Sequence, residues 1–272
     1  MNFCVTRGDC YILGDPLNNQ NRPLSKDDQT SLYKSLEQYA GNIQNAQYGT
    51  IFYPHYNYSC VVANDLVIKD GTYKTSAISS VIMPPSFAYL SCMAQAIKTD
   101  PDWLAMSGVA RGQVPNLNWL NLNNKLTAAI ADSYQERNAQ ININAITEVK
   151  PYGYCVWGNR TTYDNSDAGN LTASSFLNIR SLVSDVKKVT WTACQKCLFE
   201  QNTDVLWLNF NSMITPTLER MRTGGGITAY KILKVPTTEK AKLVAKIVLV
   251  PIYAVENVEV TVILTDDETT IS

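Results

Sequence analysis

The sequence predicts an α/β chain of the α+β kind, a mixed β-sheet flanked by helices. Three observations lead there. The segments 176–200 and 203–222 carry apolar residues at helical spacing, and the last third is rich in β-branched runs. Strands and helices are intermixed along the chain, with no repeat of 20–50 residues. At 272 residues, 45% hydrophobic and 17% charged, the chain can build a core without disulfide staples and falls outside the disordered class. Its 23 basic and 24 acidic side chains leave a net charge of −1, which gives no global field toward nucleic acid or anionic lipid. No stretch approaches the ~20 apolar residues of a bilayer-crossing helix, and no basic-then-apolar leader opens the sequence. A soluble protein not exported by a signal peptide is the expectation.

In chain order, residues 3–13 read as an apolar strand interrupted near Gly8 and Asp9 and stopped by Gly14-Asp15-Pro16. A polar loop over 18–30 comes next, and Ser25 offers N-cap chemistry for a helix to about residue 39. Residues 49–54 form a short strand ended by Pro54, and 59–62 pairs with 66–69 across an Asn64-Asp65 turn. Residues 75–82 lead to Pro84-Pro85-Ser86, a stiff turn before a helix over 87–99. Glycine, proline and asparagine make 100–124 loop-like. A short helix over 126–134 is followed by a strand over 141–146, with Ile141, Ile143 and Ala145 on one side. Residues 152–160 read as a strand running into a glycine turn.

In 176–200, Ile179, Leu182, Val183, Val186, Val189, Ala193 and Cys197 share a helical face. The helix over 203–222 is capped by Thr203-Asp204 and interrupted near Pro216. Gly224-Gly225-Gly226 then reads as a C-cap and tight turn, because phosphate-cradling glycines lie between strand and helix in the opposite order. Strands over 227–235, 243–253 and 258–264 close the chain, the last with Val258, Val260, Val262 and Leu264 alternating.

Enzyme signatures are sparse. The sequence holds one histidine, His55, and no HExxH, GxSxG, GxxxxGK[ST] or GxGxxG. Seven cysteines, an odd number, favour a reducing compartment. Cys194 and Cys197 share a helix face, and zinc would need two more ligands, from Cys4, Cys10 or Cys155. Cys60 is the thiol nearest His55 for a nucleophilic pair. Ordinary buried thiols and an aromatic-rich strand end are the plainer readings, so no catalytic residue, metal site or cofactor is assigned. A thiol- or metal-dependent enzyme built on Cys194, Cys197 and His55 is the alternative from another functional class.

A set of landmarks carries a family resemblance. They are Tyr53-Pro54, Met83-Pro84-Pro85-Ser86, the run Gly153-Tyr154-Cys155-Val156-Trp157-Gly158-Asn159-Arg160-Thr161, and Asn178-Ile179-Arg180. Phe199-Glu200-Gln201-Asn202, Trp207, Gly224-Gly225-Gly226 and Val255-Glu256-Asn257-Val258-Glu259-Val260 complete it. Their order, from about Phe3 to Leu264, resembles the C-terminal half of contractile bacteriophage tail sheath proteins, the outer tube of contractile tails and related injection machines. Trp157, Gly158, Arg160, Glu200 and Trp207 are the structural motif positions it marks. The departure is the further N-terminal half that sheath subunits usually carry, to which nothing here corresponds; a separate chain carrying it is one possible partner.

The resemblance implies a sheath-like core over 1–150 and a sheath C-terminal domain with a terminal strand or arm over 151–272. It implies a non-enzymatic virion subunit, assembled in the host cytoplasm. Such a subunit polymerises into stacked rings around the tail tube and contracts to drive the tube through the host envelope. Further copies of itself, the tail tube protein, and baseplate and tail terminator proteins are the implied partners, with no nucleic acid or membrane. A baseplate-proximal adaptor is the alternative role on the same fold. A strand of Glu256, Val258, Val260, Val262 and Leu264 is suited to donation to a neighbour's sheet edge, and equally to an edge within its own sheet. Lys187, Lys188 and Lys196 on the first helix, or Arg220 and Arg222 on the second, are candidates to face acidic tube residues through weak, releasable ion pairs; a solvated helix face is the other reading. Trp157 and Trp207 read as packing anchors, and Arg160 as a structural ion pair, an inter-subunit bridge or a solvent-facing side chain.

Overall fold

The computed structural model describes residues 2–17, 45–61, 68–69, 72–73, 78–114, 117–119, 126, 142–163, 172–256 and 258. The first elements are α1 (Asn2–Arg7), β1 (Ile12–Gly14), β2 (Gly49–Tyr53), β3 (Tyr56–Val61), β4 (Ile68–Lys69), β5 (Thr72–Tyr73) and β6 (Ile78–Met83). Then come α2 (Pro85–Ala96), α3 (Gly108–Arg111), β7 (Leu117–Trp119), β8 (Asn144–Val149) and β9 (Gly153–Trp157). The last are α4 (Leu177–Cys197), α5 (Asp204–Thr223), β10 (Ile227–Val235) and β11 (Val244–Pro251).

The central sheet has the order β1-β2-β8-β9, parallel across its first two pairs and antiparallel in the last. This is the mixed sheet that the sequence predicts. Ile51, Phe52, Tyr53 and the run Ile143–Ile146 are buried on both faces, so these strands do not alternate. That corrects the one-sided reading of 141–146; Ile141 lies outside the described residues.

The buried stripe of α2, Ala88, Tyr89, Cys92 and Ala96, packs with Phe52, Ile146 and Val156 of the sheet. The Phe52 and Tyr89 ring centroids are 4.9 Å apart. Pro84 and Pro85 offer no side-chain cap to this helix, and the anion comes from the end of β1. Asp15 accepts from the Ser86 N–H at 2.7 Å and from its Oγ at 2.6 Å. The helix therefore starts at Pro85, ahead of the expected residue 87.

A second core lies between α4, α5 and the β10–β11 hairpin, around Leu182, Val186, Phe210, Ile214, Leu218 and Met221. Trp103 enters it from the loop after α2, donating its indole N–H to the Gly224 carbonyl at 3.2 Å. A Cβ on Gly226 would meet that ring at 2.8 Å and Leu182 at 2.9 Å, while Gly225 adopts a left-handed φ of 73°. The glycine run is thus both turn and close approach.

Several elements differ from the sequence reading. Residues 2–7 form α1 and not a strand: Gly8, at φ 72°, closes the last turn by donating to the Cys4 carbonyl at 2.6 Å. β3 pairs with β6 and β7, whereas β4 pairs with β5; the proposed Asn64-Asp65 turn lies outside the described residues. Residues 100–124 include α3 and β7. Helix α5 runs through Pro216, because Pro216 and the Ser212 turn it faces are exposed and water can satisfy the freed carbonyl. The helix expected at 25–39 and, apart from Leu126, the one at 126–134 lie outside the described residues.

One buried amide joins the sheet to the segment that leaves β9. Asn144 Nδ2 donates to Thr50 Oγ1 (2.7 Å), the Ile51 carbonyl (3.2 Å) and the Arg160 carbonyl (2.8 Å), and Oδ1 accepts the Arg160 N–H (2.8 Å). Asn144→Leu strands the buried Arg160 N–H, while Thr50 Oγ1 still donates to the Arg160 carbonyl at 2.9 Å; the change should cost about 1–3 kcal/mol, read as a lower urea midpoint with unchanged slope.

The loop carrying Trp103 also presses Asp102 against Asp185 of α4. Burial, then the Asp185 carboxyl, push Asp102 up to about 7, while Lys188, 3.4 Å from Asp185, pulls the other way. The folded value lies above the unfolded one, so the folded chain binds more protons between about pH 4 and pH 7, and stability falls as pH rises through that window. Asp102→Asn should raise stability by about 1–2 kcal/mol near pH 8 and change little near pH 4, as paired urea titrations would show.

Candidate functional site

The segment 157–162 leaves β9 and crosses to the start of α4. Phe176, at the helix N-cap, has no side-chain acceptor, and Asn159 supplies one from outside. Its carbonyl accepts the Leu177 N–H (2.9 Å), Oδ1 accepts the Asn178 N–H (3.1 Å), and Nδ2 donates to Asn178 Oδ1 (2.7 Å). Asn178 Nδ2 then donates to the Trp103 carbonyl at 3.2 Å, linking this cap to the second core. Thr161 Oγ1 donates to the Ser174 carbonyl (2.7 Å) and Thr162 Oγ1 to the Ala46 carbonyl (2.9 Å).

Arg160 is buried at the centre of this segment, its side chain 5% exposed. The guanidinium lies 4.8 Å from the Phe176 ring centroid and ion-pairs with Glu256. Phe176 in turn meets Tyr253 edge-on at 5.2 Å, and the Ile252 N–H donates to the Gly226 carbonyl at 3.0 Å. Residues 252–256 are thereby clasped onto the core. Burial pushes the Glu256 carboxyl up, and the Arg160 guanidinium pulls it back. Arg160 Nε and Nη1 make no hydrogen bond among the described residues, so Glu256 and the Phe176 face are the compensation seen for this cation.

Next to the clasp stands the β10–β11 ribbon. One face packs on the second core through Tyr230, Ile232, Ala245, Ile247 and Leu249. The other exposes Lys231, Lys246, Val248 and Val250. Among the described residues neither strand pairs with a third.

The remaining predicted residues are dispersed. Lys187 reaches over Gly8, where an added Cβ would lie 2.3 Å from its Nζ. Lys188 pairs with Asp185, Lys196 is exposed on the last turn of α4, and Arg222 pairs with Glu219 at 2.6 Å. Arg220 lies 5.7 Å from the Trp103 ring. Trp157 and Gly158 are half-buried, Glu200 is exposed, and Trp207 stacks on Phe210 at 5.8 Å. Glu256 and Val258 are described and not in a strand, whereas Val260, Val262 and Leu264 lie outside the described residues. His55 is buried beyond the end of β2, its pKa lowered by desolvation. Cys194 and Cys197 sit on the last turn of α4, and no group of three or more metal-ligating side chains occurs among the described residues. Sequence reasoning missed Asn144, Phe176, Tyr253 and Asp15. Of these, only Asn144 carried a signal: an asparagine inside an apolar strand.

No protein-family profile matches the chain. The tail sheath protein of Vibrio phage KVP40 (isolate Vibrio parahaemolyticus/Japan/Matsuzaki/1991) is 24% identical over 131 residues, 48% of this chain and 18% of that protein. A solved chain of an extracellular contractile injection system, the PVC sheath complex in its contracted state, superposes with a TM-score of 0.64 at 17% identity over 88% of this chain. The two chains share a fold. A chain of the anti-feeding prophage baseplate superposes with a TM-score of 0.61 at 15% identity over 87% of this chain. This chain spans 61% and 65% of those two solved chains.

Removing one partner of the clasp strands the other in a partly dry site. Arg160→Met and Glu256→Gln should each destabilise the fold, and the double variant should recover part of the loss, with a coupling of about 1–3 kcal/mol in a urea double-mutant cycle.

Proposed function

We propose that the chain is a structural, non-enzymatic subunit of a contractile sheath. In this reading copies of it stack as rings around a tail tube and shorten to drive the tube through a host envelope. The subunit assembles in the host cytoplasm and resides in the virion tail, with baseplate and terminator proteins at the ends. The observation that carries the reading is the β10–β11 ribbon, a pair of strands packed on the second core with neither edge paired among the described residues. Strand addition to such an edge is made of backbone hydrogen bonds, which tolerate rotation of the joined bodies better than a flat apolar interface. The segment beyond the Arg160–Glu256 clasp is the donor, leaving its own subunit from a fixed point. Lys187, Lys188, Lys196, Arg220 and Arg222 remain tube-facing candidates, and exposed ion pairs of this kind are individually weak enough to release together.

Likeness to a baseplate chain also supports the adaptor role, in which the same edges nucleate the first ring. Negative-stain microscopy and sizing of the full chain test both readings. Tubes or extended stacks are expected for a sheath, and a single closed ring for an adaptor. A persistent monomer at high concentration would sink both. A chain ending at Val258 keeps the clasp, so it should stay folded and monomeric; polymers from it would exclude the donated strand, and its unfolding would place that segment in its own core.

A further inference from the structure

We propose that Cys4 and Cys10 form a dithiol that a small-molecule disulfide, such as oxidised glutathione, closes into an intrachain disulfide. This bond staples α1 to the segment entering β1. The two sulfurs are 3.5 Å apart, with Cys10 Sγ donating to Cys4 Sγ. A disulfide needs about 2.05 Å, so the two sulfurs have about 1.5 Å left to close.

The backbone holds the pair in place. Gly8 reverses the chain between them at a left-handed φ of 72°, and its N–H donates to the Cys4 carbonyl at 2.6 Å. Arg7 grips Asp9 through two hydrogen bonds, at 2.9 Å and 2.8 Å, across the same reversal. Arg180 of α4 reaches the Gly8 carbonyl at 3.4 Å, and Lys187 closes over Gly8 from the same helix. The reversal is therefore seated on α4, and the thiols stay apposed.

Exposure orders the chemistry. Cys4 is 4% exposed, and burial followed by its neighbour Cys10 push its thiol up, with Arg180 pulling the other way. Cys10 is the more accessible thiol and attacks first. Its thiolate displaces one glutathione thiolate and forms a mixed disulfide. Cys4 gives its proton to solvent and attacks Cys10 Sγ, and the second glutathione leaves as a thiolate that water protonates. Two protein thiols lose two electrons in total, and one small disulfide becomes two thiols.

The full chain is equilibrated with reduced and oxidised glutathione at set ratios, quenched with an alkylating agent and cut with trypsin. Cleavage after Arg7 puts Cys4 and Cys10 on separate peptides, which stay joined until reduced. Joined peptides, and two thiols lost at these positions, are expected. The folded chain should hold the bond in a glutathione buffer about tenfold more reducing than the guanidinium-unfolded chain requires. Alkylation of both cysteines under all ratios would overturn the proposal, and so would glutathione adducts without joined peptides. An equal or reversed ratio for folded and unfolded chains would also overturn it, since a seven-residue loop can close without help from the fold. Cys10→Ser should leave Cys4 alkylated throughout; Cys4 found joined elsewhere would defeat the pairing.

Discussion

A buried amide cannot be left without partners, and that constraint at Asn144 organises the architecture around it. The side chain is fully buried in the interior of the sheet. Its donors and acceptor are satisfied only if β2, β8 and the backbone at Arg160 meet at one point. Once Arg160 is pinned there, Asn159 falls next to the first turn of α4 and caps it, and Asn178 carries the same chain of bonds to Trp103. Sheet, helix pair and ribbon are thus registered to one another through asparagine side chains, which give direction that apolar contact alone lacks.

The same geometry forces a cation indoors. With its backbone fixed, the Arg160 side chain lies under Phe176, where a charge is costly without an anion. Glu256 provides that anion from far along the chain. The path of residues 252–256 is therefore set by electrostatics and one edge-on aromatic contact, while their own side chains remain largely outward.

Local features were the legible part of the sequence. Amphipathic spacing marked α4 and α5 to within a few residues, because turn-to-turn periodicity is written in consecutive positions. The proline pair before α2 and the glycine run after α5 were readable for the same reason. The misreadings were long-range. Residues 2–7 have the composition of a strand, and their helical turn is held by Arg180 and Lys187 on a distant helix. The partner of β3 lies beyond a more obvious turn, a long-range pairing that no local turn signal marks. Asp15 caps a helix 71 residues away, and no spacing rule reaches that far. At the clasp, the arginine and Glu256 were both visible as separate landmarks, whereas their pairing and Phe176 carried no local signal.

The ribbon's lysines bear on the behaviour of the chain before it meets any partner. A hairpin with valines on its outer face and no third strand among the described residues is the kind of surface that sticks to stray β-segments. Lys231, Lys234 and Lys246 are spread along it, and Lys234 is held by Asp204 of α5 at 2.8 Å. Every unplanned edge-to-edge stack would bring these ammonium groups together with little room for water, while an incoming strand with acidic residues would neutralise them. The ribbon therefore carries its own gatekeepers against premature clumping, and they favour one charge of visitor over the other.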